Sequence, residues 1–323
     1  MTVREGAAGK VLAIVPCLNE AAHITGVLDH LLRDPALAEA VVVVADGGSQ
    51  DGTRELVHDY AQRDSRVRLL ANPKKLQSAG VNLAVERFGA QVDWIARIDA
   101  HAGYPEGYVT TLLRVAAEQG ADSVVVSMDT QGLGCFQRAA AAAQNSALGA
   151  GGSAHRRMGV SGWVDHGHHA LFRRDAFVAA GGYDETFSHN EDAELDVRLG
   201  ARGARIWLTD QAPVIYYPRS TARALWRQYL NYGRGRARTV LKHRVRLKPR
   251  QAAPLAIAPA VLLALATPLH PIFAAPAALW IAACLSVGLL VGLKARSACA
   301  CASGGAAMIM HLAWSAGFWA QLA

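Results

Sequence analysis

Short apolar runs alternate with amphipathic stretches between residues 11 and 127 of the chain. The runs predict buried strands at Val11–Val15, Val41–Val44, Val67–Leu69, Trp94–Ile98 and Ser123–Ser127. The stretches between them predict helices at Ala22–Leu32, Asp51–Arg63 and Ser78–Phe88. Strands that alternate with helices of this length indicate an α/β fold with a mostly parallel sheet, in which ligands bind at the carboxyl ends of the strands.

The end of the chain has a different pattern. Three long segments there are apolar and lack acidic residues, namely Ala252–Leu269, Phe273–Leu293 and Ala298–Ala323. Each reaches the ~18–20 residues needed to cross a bilayer. The alternative is a set of buried helices in a large soluble domain. Three such segments in a row favour membrane spans, although the third could also lie in the membrane interface.

The net charge of +7 is distributed unevenly along the chain. Residues 227–323 contain 11 Lys/Arg and no acidic residue, whereas residues 1–226 contain more acidic than basic residues. The basic charge therefore belongs to the tail and indicates an anionic membrane surface, with no nucleic-acid partner. Eight of these basic residues fall within 234–250, directly before the first apolar segment, which by the positive-inside rule places that end in the cytoplasm.

These patterns divide the chain into three parts. We expect a cytoplasmic domain over residues 1–223, a basic amphipathic segment over 224–250 at the membrane surface, and a membrane domain over 251–323 with two to three transmembrane helices. For the middle segment, a linker that carries only topogenic charge is the alternative. Residues 1–10 lack the apolar core of a signal peptide, which agrees with a cytoplasmic first domain.

Five cysteines show neither zinc-type spacing nor a disulfide framework. Cys17 and Cys135 lie far apart in the polar part of the chain, and the others lie in apolar runs. The pattern is typical of a protein whose soluble part is in a reducing compartment.

Asp99-Ala100-His101 follows a predicted strand directly. A carboxylate and an imidazole two residues apart at a strand end can both reach one divalent cation, and such a cation offsets the charge of a departing diphosphate. The triplet alone is weak evidence because it occurs by chance in many chains. It gains weight from the motifs at the neighbouring strand ends.

Polar motifs also follow the first three predicted strands. Asp46 opens the motif Asp46–Thr53, where it can accept a hydrogen bond from a base or ribose, while Ser49 and Asp51 suit helix capping. Within Pro16–Glu20, Asn19 and Glu20 can hydrogen-bond a nucleoside or simply begin a helix. Lys74 and Lys75 can approach a base or a phosphate, with a solvated lysine pair as the alternative.

Acidic residues cluster at a predicted helix start in Glu191–Leu199. The helix dipole favours negative charge there, and this is our interpretation of Glu194 and Asp196. Asp192, in the first turn, can point into a cleft and take the proton of an acceptor hydroxyl as general base. The segment Gly182–Phe187, with Asp184, precedes it.

The remaining polar motifs have less specific interpretations. Trp163, His168 and His169 belong to a Gly162–His169 segment with three histidines, which no carboxylate or cysteine set completes as a zinc site. We expect these residues, together with Asp184, on the acceptor side of the cleft, where one histidine could add a ligand to the cation. Arg234 and Arg236 can stabilise a diphosphate leaving group or supply topogenic charge only.

The order of these motifs resembles the family-2 inverting glycosyltransferases of the GT-A fold. The resemblance covers roughly residues 10–245; any one motif is loose, but five in order are specific. Ile98–His101, Ser161–His169 and Tyr232–Arg236 are similar to the succinoglycan-biosynthesis glucosyltransferase subgroup, which carries C-terminal membrane spans. No Gly-x-Gly-x-x-Gly follows the first strand, which excludes a typical dinucleotide-binding dehydrogenase.

The resemblance implies a role for each motif. Pro16, Asn19, Glu20, Asp46, Lys75 and Asp99 would bind the donor nucleotide, and Asp99 with His101 would hold Mg²⁺ or Mn²⁺. Asp192 would be the general base with Glu191 in support. Family members often have a second aspartate where this chain has His101. An imidazole can serve as a metal ligand in place of that aspartate. The chain lacks the Gln-x-x-Arg-Trp motif of processive synthases, which indicates transfer of a single sugar.

The sequence thus predicts a glycosyltransferase anchored in the inner (cytoplasmic) membrane, with its catalytic domain in the cytoplasm. It would move one sugar, glucose from UDP-glucose, onto a lipid-linked saccharide acceptor in exopolysaccharide assembly, alongside other polysaccharide-assembly proteins. Transfer to polyprenyl phosphate itself is a close alternative. A non-catalytic membrane scaffold that binds nucleotide sugars is another, which the intact set of Asp46, Asp99 and Asp192 argues against.

Overall fold

The structure, a computed structural model, describes residues 9–151, 153–156 and 158–323. The chain forms two compact units. The first combines Met1–Ser127 with Met158–Val214, and the second combines Met128–Arg157 with Ile215–Ala323. The expectation that residues 1–10 form no signal peptide concerns mostly residues 1–8, which lie outside the described residues.

Eight strands occur within the described part of the chain. They are β1 (Val11–Cys17), β2 (Val41–Asp46), β3 (Val67–Ala71), β4 (Trp94–Arg97), β5 (Ser123–Thr130), β6 (Gly162–Val164), β7 (His168–Arg173) and β8 (Ile206–Tyr216).

The helices of the described residues include short and long segments. They are α1 (Ile24–Leu32), α2 (Thr53–Arg63), α3 (Gln77–Phe88), α4 (Tyr108–Gln119), α5 (Cys135–Gln144), α6 (Ala147–Ala150), α7 (Arg174–Ala179), α8 (Glu191–Ala201), α9 (Ala222–His243), α10 (Pro249–Ala252), α11 (Ile257–Leu263), α12 (Ala275–Lys294), α13 (Ala298–Cys301) and α14 (Ser303–Leu322). Short 3₁₀ turns lie at Pro35–Leu37, Gly89–Gln91, Ala154–Arg156, Ala253–Ala256, Ala264–Ala266 and Pro271–Ala274.

The strands form one mixed sheet in the order β3-β2-β1-β4-β7-β5-β8-β6. The first four strands in this order are parallel, which confirms the α/β fold expected from the alternating pattern. β1, β2 and β4 are buried on both faces, as in other parallel sheets covered by helices, whereas Arg68 and Ala71 of the edge strand β3 are exposed. Because the four strands are parallel, their carboxyl ends, at Cys17, Asp46, Ala71 and Arg97, meet at one edge of the sheet.

One strand enters the sheet in a place that the sequence did not reveal. β7 lies between β4 and β5 and is antiparallel to both. Its first residues, His168 and His169, therefore lie near the end of β4, close to Asp99. The predicted pattern also missed β6 and β8, because they fall in the irregular, glycine-rich region after residue 132.

In the second unit, helices α9 and α14 pack closely through small residues. A Cβ atom on Gly233 of α9 would overlap the carbonyl oxygen of Trp314, and one on Gly317 of α14 would overlap that of Leu230. Glycines at a helix–helix contact allow the two backbones to approach. Ala306, Ala307 and Met310 of α14 are buried in the same unit.

The second unit also contains a disulfide that we did not expect from the sequence. Cys135, at the start of α5, is bonded to Cys299 in α13. The spacing of the cysteines indicated no disulfide framework, and the structure differs at this pair, because a sequence separation of 164 gives no indication of contact. Cys17, Cys284 and Cys301 are free thiols.

One helical segment of the described residues, Pro271–Lys294, is long and apolar enough to cross a membrane. The apolar helical stretch Ala253–Ala266 is shorter than a bilayer requires. Leucines on α12 such as Leu279, Leu285 and Leu290 are exposed in the chain by itself. Two to three spans over residues 251–323 stay a prediction.

Candidate active site

A cleft opens in the first unit where the four parallel strands end. The ends of β1 and β2 and the loops after β1, β3 and β4 line it, with Pro16, Cys17, Leu18, Glu20, Ala45, Asn72, Lys75, Leu76, Gln77, Asp99, Ala100 and His101. Five residues predicted from the sequence to bind the donor or a metal lie together here: Pro16, Glu20, Lys75, Asp99 and His101. This edge of the sheet is where α/β folds bind their ligands.

Asp46 and Asn19, also predicted to bind the donor, use their side chains to hold these loops. Asp46 is buried, and its Oδ1 accepts hydrogen bonds from the backbone N–H groups of Gly48 (2.9 Å) and Ser49 (3.0 Å). The Asn19 side chain accepts from the backbone N–H of Gln50 at 2.9 Å. Contact of either side chain with a nucleoside stays a prediction.

The loop after β2 also holds the loop after β1. Thr53 Oγ1 accepts from the backbone N–H of Glu20 at 2.9 Å, and Ser49 Oγ accepts from that of Asn19 at 2.8 Å. Asp51 accepts from the backbone N–H of Ala21 at 3.0 Å. The second half of the Asp46–Thr53 motif therefore shapes the cleft, as well as beginning α2.

Asp99 lies at the floor of the cleft in a network of donors. Arg97 Nη2 donates to Asp99 Oδ1 at 3.1 Å, and Gln77 Nε2 donates to the same oxygen at 3.0 Å. Tyr104 holds the backbone, since its hydroxyl accepts from the N–H of Asp99 at 2.7 Å and donates to its carbonyl oxygen at 3.0 Å. Burial would raise the pKa of Asp99, but Arg97 holds it well below its usual range.

His101 lies beside Asp99 at the mouth of the cleft. Its Nδ1 is 2.9 Å from Glu20 Oε1, and His23 Nδ1 is 3.0 Å from Glu20 Oε2. Burial would raise the pKa of Glu20, but the hydrogen bond with His101 leaves it below its usual range. Asp99 and His101 thus provide an oxygen and a nitrogen ligand in the lining of one cleft.

These donors fit a cation that is shared with a substrate. Among the described residues, no three His, Cys, Asp or Glu side chains are grouped so that they could hold a metal by themselves. Mg²⁺ is commonly bound by one or two carboxylates and completes its shell with substrate phosphates and water. Asp99 provides such a carboxylate and His101 adds a nitrogen donor, a set that differs from a closed structural zinc site.

Asp192 begins the second part of the site, in the first turn of α8. Its Oδ1 receives three donors: Arg97 Nη1 at 2.6 Å, the Tyr183 hydroxyl at 3.2 Å and His169 Nδ1 at 3.3 Å. All the contacts described for this carboxylate go to Oδ1, so Oδ2 is the oxygen that can accept a proton. Burial would raise the pKa of Asp192, but Arg97 and His169 hold it well below its usual range.

Glu191, the neighbour of Asp192, has the opposite shift. Burial raises the pKa of Glu191 above its usual range, and the negative charge of Asp192 adds to this effect. Asp192 is therefore the ionised member of the pair near neutral pH. Its ionised state supports its assignment as the base and that of Glu191 as a supporting group.

A buried chain of charges stands behind Asp192. His169 is 1% exposed, with Nδ1 2.8 Å from the Tyr183 hydroxyl and Nε2 2.8 Å from Asp196 Oδ1. His166 Nδ1 lies 2.7 Å from the other oxygen of Asp196. Burial would lower the pKa of His169, but Asp196 raises it well above its usual range.

The interpretation of Asp196 and Glu194 as simple helix-start charges was wrong. Asp196 is one turn after Asp192 on the same face of α8, points inward and binds two histidines. Glu194 is fully buried and binds Arg198 through Nε at 2.9 Å. Both carboxylates therefore act through inward contacts and not through the helix dipole alone.

The four residues predicted for the acceptor side have different surroundings. His168 Nε2 lies 3.3 Å from Asp99 Oδ2, whereas His169 is buried behind Asp192. Trp163, on β6, is half-exposed, and its ring centroid lies 4.9 Å from that of Trp207. Asp184 accepts from the backbone N–H of Thr186 at 2.9 Å within a turn. Contact of any of them with an acceptor stays a prediction.

Arg234 and Arg236, predicted at the diphosphate, both lie on α9 of the second unit. Residues two apart on a helix point about 200° apart, which follows from 3.6 residues per turn. Arg234 is exposed and Arg236 is half-buried, in agreement with this geometry. A single phosphate group can therefore face only one of them, and a role for either stays a prediction.

Sequence reasoning missed several residues that organise the site. Arg97 is the most important, since one guanidinium joins Asp99 and Asp192. A signal was present, because an arginine within an otherwise apolar strand is rarely buried without a charged partner. Tyr104, Gln77 and Tyr183 gave no comparable signal, since their roles depend on contacts between distant segments.

The fold and the site together define a class of protein. The arrangement is that of a GT-A glycosyltransferase. A mixed sheet has a cleft of carboxylate, imidazole and lysine groups over its parallel strand ends, and a carboxylate that is a candidate base lies beside this cleft. The chain belongs to glycosyl transferase family 2, whose family model matches residues 12–179. The family and the enzyme class expected from the motifs are both confirmed.

Known proteins resemble the chain over most of its length. The succinoglycan biosynthesis protein ExoA of Rhizobium meliloti (strain 1021) is 52% identical over 311 residues, which cover 96% of this chain and 94% of that protein. The mannosyltransferase PcManGT from Pyrobaculum calidifontis, solved with GDP-Man and Mn²⁺, has a TM-score of 0.59 at 18% identity, with 97% of this chain and 87% of that chain covered.

A second solved structure shows the same fold. GalNAc-T7, solved with UDP, GalNAc and Mn²⁺, has a TM-score of 0.54 at 13% identity, with 73% of this chain and 48% of that chain covered. At these identities the two structural similarities establish the fold of this chain and no more.

Proposed function

We propose that this glycosyltransferase transfers one sugar from a UDP-sugar, UDP-glucose in the first instance, to a lipid-linked saccharide at the cytoplasmic face of the membrane. The product would be an intermediate of a succinoglycan-type exopolysaccharide. The 52% identity to a succinoglycan biosynthesis protein over nearly the whole chain supports this assignment. The apolar segment Pro271–Lys294 and the acid-free basic tail support a location in the inner membrane.

The observation that carries the proposal is the position of Arg97. Its Nη2 contacts Asp99 in the cleft and its Nη1 contacts Asp192, so the two carboxylates are separated by the width of one guanidinium. A donor bound at Asp99 would therefore present its anomeric carbon near Asp192. This proximity is what transfer of a sugar in a single displacement requires.

The chemistry follows from the two oxygens of Asp192. Arg97, Tyr183 and His169 fix Oδ1, so Oδ2 would accept the proton of the acceptor hydroxyl. The hydroxyl oxygen of the acceptor attacks C1 of the sugar at the same time. The C1–O bond to UDP breaks as the new C1–O bond forms, which inverts an α-linked donor to a β-linked product. UDP leaves with the bonding electrons.

Asp99 and His101 would hold Mg²⁺ or Mn²⁺ against the donor diphosphate. Such a cation supplies positive charge at the leaving group. Lys75 lines the cleft and has a backbone φ of 58°. Its side chain would add a positive charge near the nucleotide. The two hydrogen bonds between Tyr104 and the backbone of Asp99 would hold this carboxylate in place before the donor binds.

The test is release of UDP by the full-length protein in detergent, with a panel of UDP-sugars and a lipid extract, in the presence of Mn²⁺ or EDTA. Release with one sugar that requires both metal and lipid is the expected result. A product that proves to be a sugar on polyprenyl phosphate would replace the acceptor proposed here. UDP binding without release for every donor and lipid acceptor would overturn the enzymatic proposal in favour of a scaffold.

A further inference from the structure

We propose that Glu20 positions His101 for the donor cation, by holding the Nδ1–H of its ring so that Nε2 is the nitrogen directed to the metal. The inference rests on the proposed metal-dependent transfer and adds a role for one of its residues. Glu20 is then a positioning residue that acts through His101. Its predicted role as a nucleoside contact is not needed for this.

The geometry fixes which nitrogen carries the hydrogen. His101 Nδ1 lies 2.9 Å from Glu20 Oε1. An ionised carboxylate can only accept hydrogen bonds, so Nδ1 must be the donor. In the neutral ring the lone pair is then on Nε2, at the far side from Glu20. Histidines that bind metals usually donate their other N–H to a carboxylate, carbonyl or water in this way.

Glu20 is itself held in place by two other groups. Its second oxygen, Oε2, lies 3.0 Å from His23 Nδ1, and its backbone N–H donates to Thr53 Oγ1 at 2.9 Å. The Glu20 side chain is 16% exposed, compared with 51% for His101. A well-anchored carboxylate thus contacts a ring that is itself about half exposed to solvent.

A histidine at position 101 needs such an orienting group more than an aspartate would. The two oxygens of an aspartate are equivalent as ligands, and the ionised group has no tautomers. A neutral imidazole has one ligating nitrogen, and one of its two tautomers presents the wrong one. Removal of Glu20 should therefore matter when residue 101 is histidine and not when it is aspartate.

The experiment is a double-mutant cycle read out by Mn²⁺ affinity. Free Mn²⁺ is measured by electron paramagnetic resonance, with full-length protein in detergent and UDP at a saturating concentration for each variant. The four proteins are the wild type, Glu20→Gln, His101→Asp and the double variant. We expect Glu20→Gln to weaken Mn²⁺ binding by about 10–100-fold in the wild type, and to have no further effect beside His101→Asp.

Glu118→Gln is the matched control. Glu118 is an exposed glutamate of α4 that pairs with Arg114, and its change should leave Mn²⁺ affinity as in the wild type. Unchanged affinity in Glu20→Gln would overturn the inference. So would an equal loss in the wild-type and His101→Asp backgrounds, because Glu20 would then act by its charge alone.

The same measurement separates this inference from the proposed function. Mn²⁺ binding by the wild type with UDP tests the metal-dependent function, whereas its dependence on Glu20 and residue 101 tests the positioning role. If the wild type binds no Mn²⁺ with UDP, both fail together. If it binds Mn²⁺ and the cycle shows no coupling, only the positioning role fails.

Discussion

At the scale of the residue, the site is defined by the different surroundings of neighbouring carboxylates. Asp192 is held ionised by Arg97, whereas burial favours the protonated form of the adjacent Glu191. A carboxylate with one oxygen fixed by three donors is well oriented, but its lowered pKa makes it a weaker base. The orientation of Asp192 near the acceptor hydroxyl must therefore provide much of its contribution to the rate of transfer.

Asp192→Asn should remove most turnover and leave UDP binding intact. The amide cannot accept the acceptor's proton as the carboxylate does, and general bases contribute about 10²–10⁴-fold to rate. The measurement is kcat for UDP release together with UDP affinity. Glu191→Gln is the comparison and should cost less, since Glu191 does not take the proton. Near-normal turnover of Asp192→Asn would remove Asp192 from the role of base.

Asp196→Asn should destabilise the protein, because it leaves a buried His169 beside a neutral partner. Loss of one member of a buried ion pair costs about 3–5 kcal/mol. The readout is the midpoint of thermal unfolding in detergent. The exposed Asp175, paired with Arg174, provides the control substitution Asp175→Asn. Equal midpoints for the two variants would show that the buried contacts of Asp196 do not stabilise the fold.

The stability difference between wild type and Asp196→Asn should depend on pH. Burial would raise the pKa of Asp196, but the charges and hydrogen bonds of His169 and His166 together lower it in the fold. Its contribution is present above the ordinary value of about 3.9 and is lost as pH falls through the folded value. The pKa of His169 is raised, so its contribution is complete below about 6.5 and declines as pH rises toward the folded value.

Unfolding midpoints measured across pH check this sign. The difference between the two proteins should be greatest between about pH 4 and 6.5. It should decrease in stronger acid, as Asp196 takes up a proton, and at higher pH, as His169 loses one. A difference that stays constant from strong acid to alkaline pH would contradict the ion-pair explanation.

At the scale of the element, the loops after the parallel strands depend on each other. Thr53, at the start of α2, accepts from the backbone of Glu20 and donates to Asp51 Oδ1 at 2.5 Å. A threonine at a helix start is ordinarily interpreted as a local feature of that helix. Here it also fixes the loop that carries Glu20 on the wall of the cleft.

Thr53→Val should therefore raise the KM for the donor with a smaller effect on kcat. Valine keeps the shape of threonine but cannot accept the Glu20 N–H, so the Pro16–Glu20 loop loses one of its anchors. Thr53→Ser keeps the hydroxyl and is the matched control, with an expected KM near that of the wild type. If valine and serine variants have the same KM, the hydroxyl does not hold the loop.

The sequence predicted the parallel half of the sheet well, because each strand there is a short apolar run between helices. It could not predict β7, whose placement between β4 and β5 depends on pairing between distant segments. The residues of the site fall into the same two groups, those that the sequence predicted and those that it could not. Asp99, His101 and Glu20 follow predicted strands, whereas Arg97, Tyr104 and Asp196 take part through tertiary contacts that spacing does not encode.

At the scale of the whole molecule, the chain combines a sheet-based unit with a helical unit. The helical unit is held by small residues at the contact of α9 and α14, where glycine permits close approach. Its remaining apolar surface, along α12 and α11, includes exposed leucines such as Leu262, Leu285 and Leu290. A lipid environment is the natural solvent for such a surface.

Gly233→Ala should destabilise the helical unit by about 1–3 kcal/mol, the usual cost of an overpacked contact. The added methyl would overlap the carbonyl oxygen of Trp314 on α14. Thermal unfolding in detergent measures the effect. Gly305→Ala is the control, since a Cβ at Gly305 of α14 meets no atom within 4 Å. Equal unfolding midpoints in the two variants would show that α9 and α14 can move apart at little cost.

The two adjacent histidines of β7 have a consequence for how this chain can vary in sequence. Successive side chains point to opposite faces of a strand, which is why His168 contacts Asp99 and His169 contacts Asp192. A shift of one residue in pairing would exchange the two rings between these carboxylates. An insertion or deletion of one residue at 165–167, between β6 and β7, should therefore be poorly tolerated.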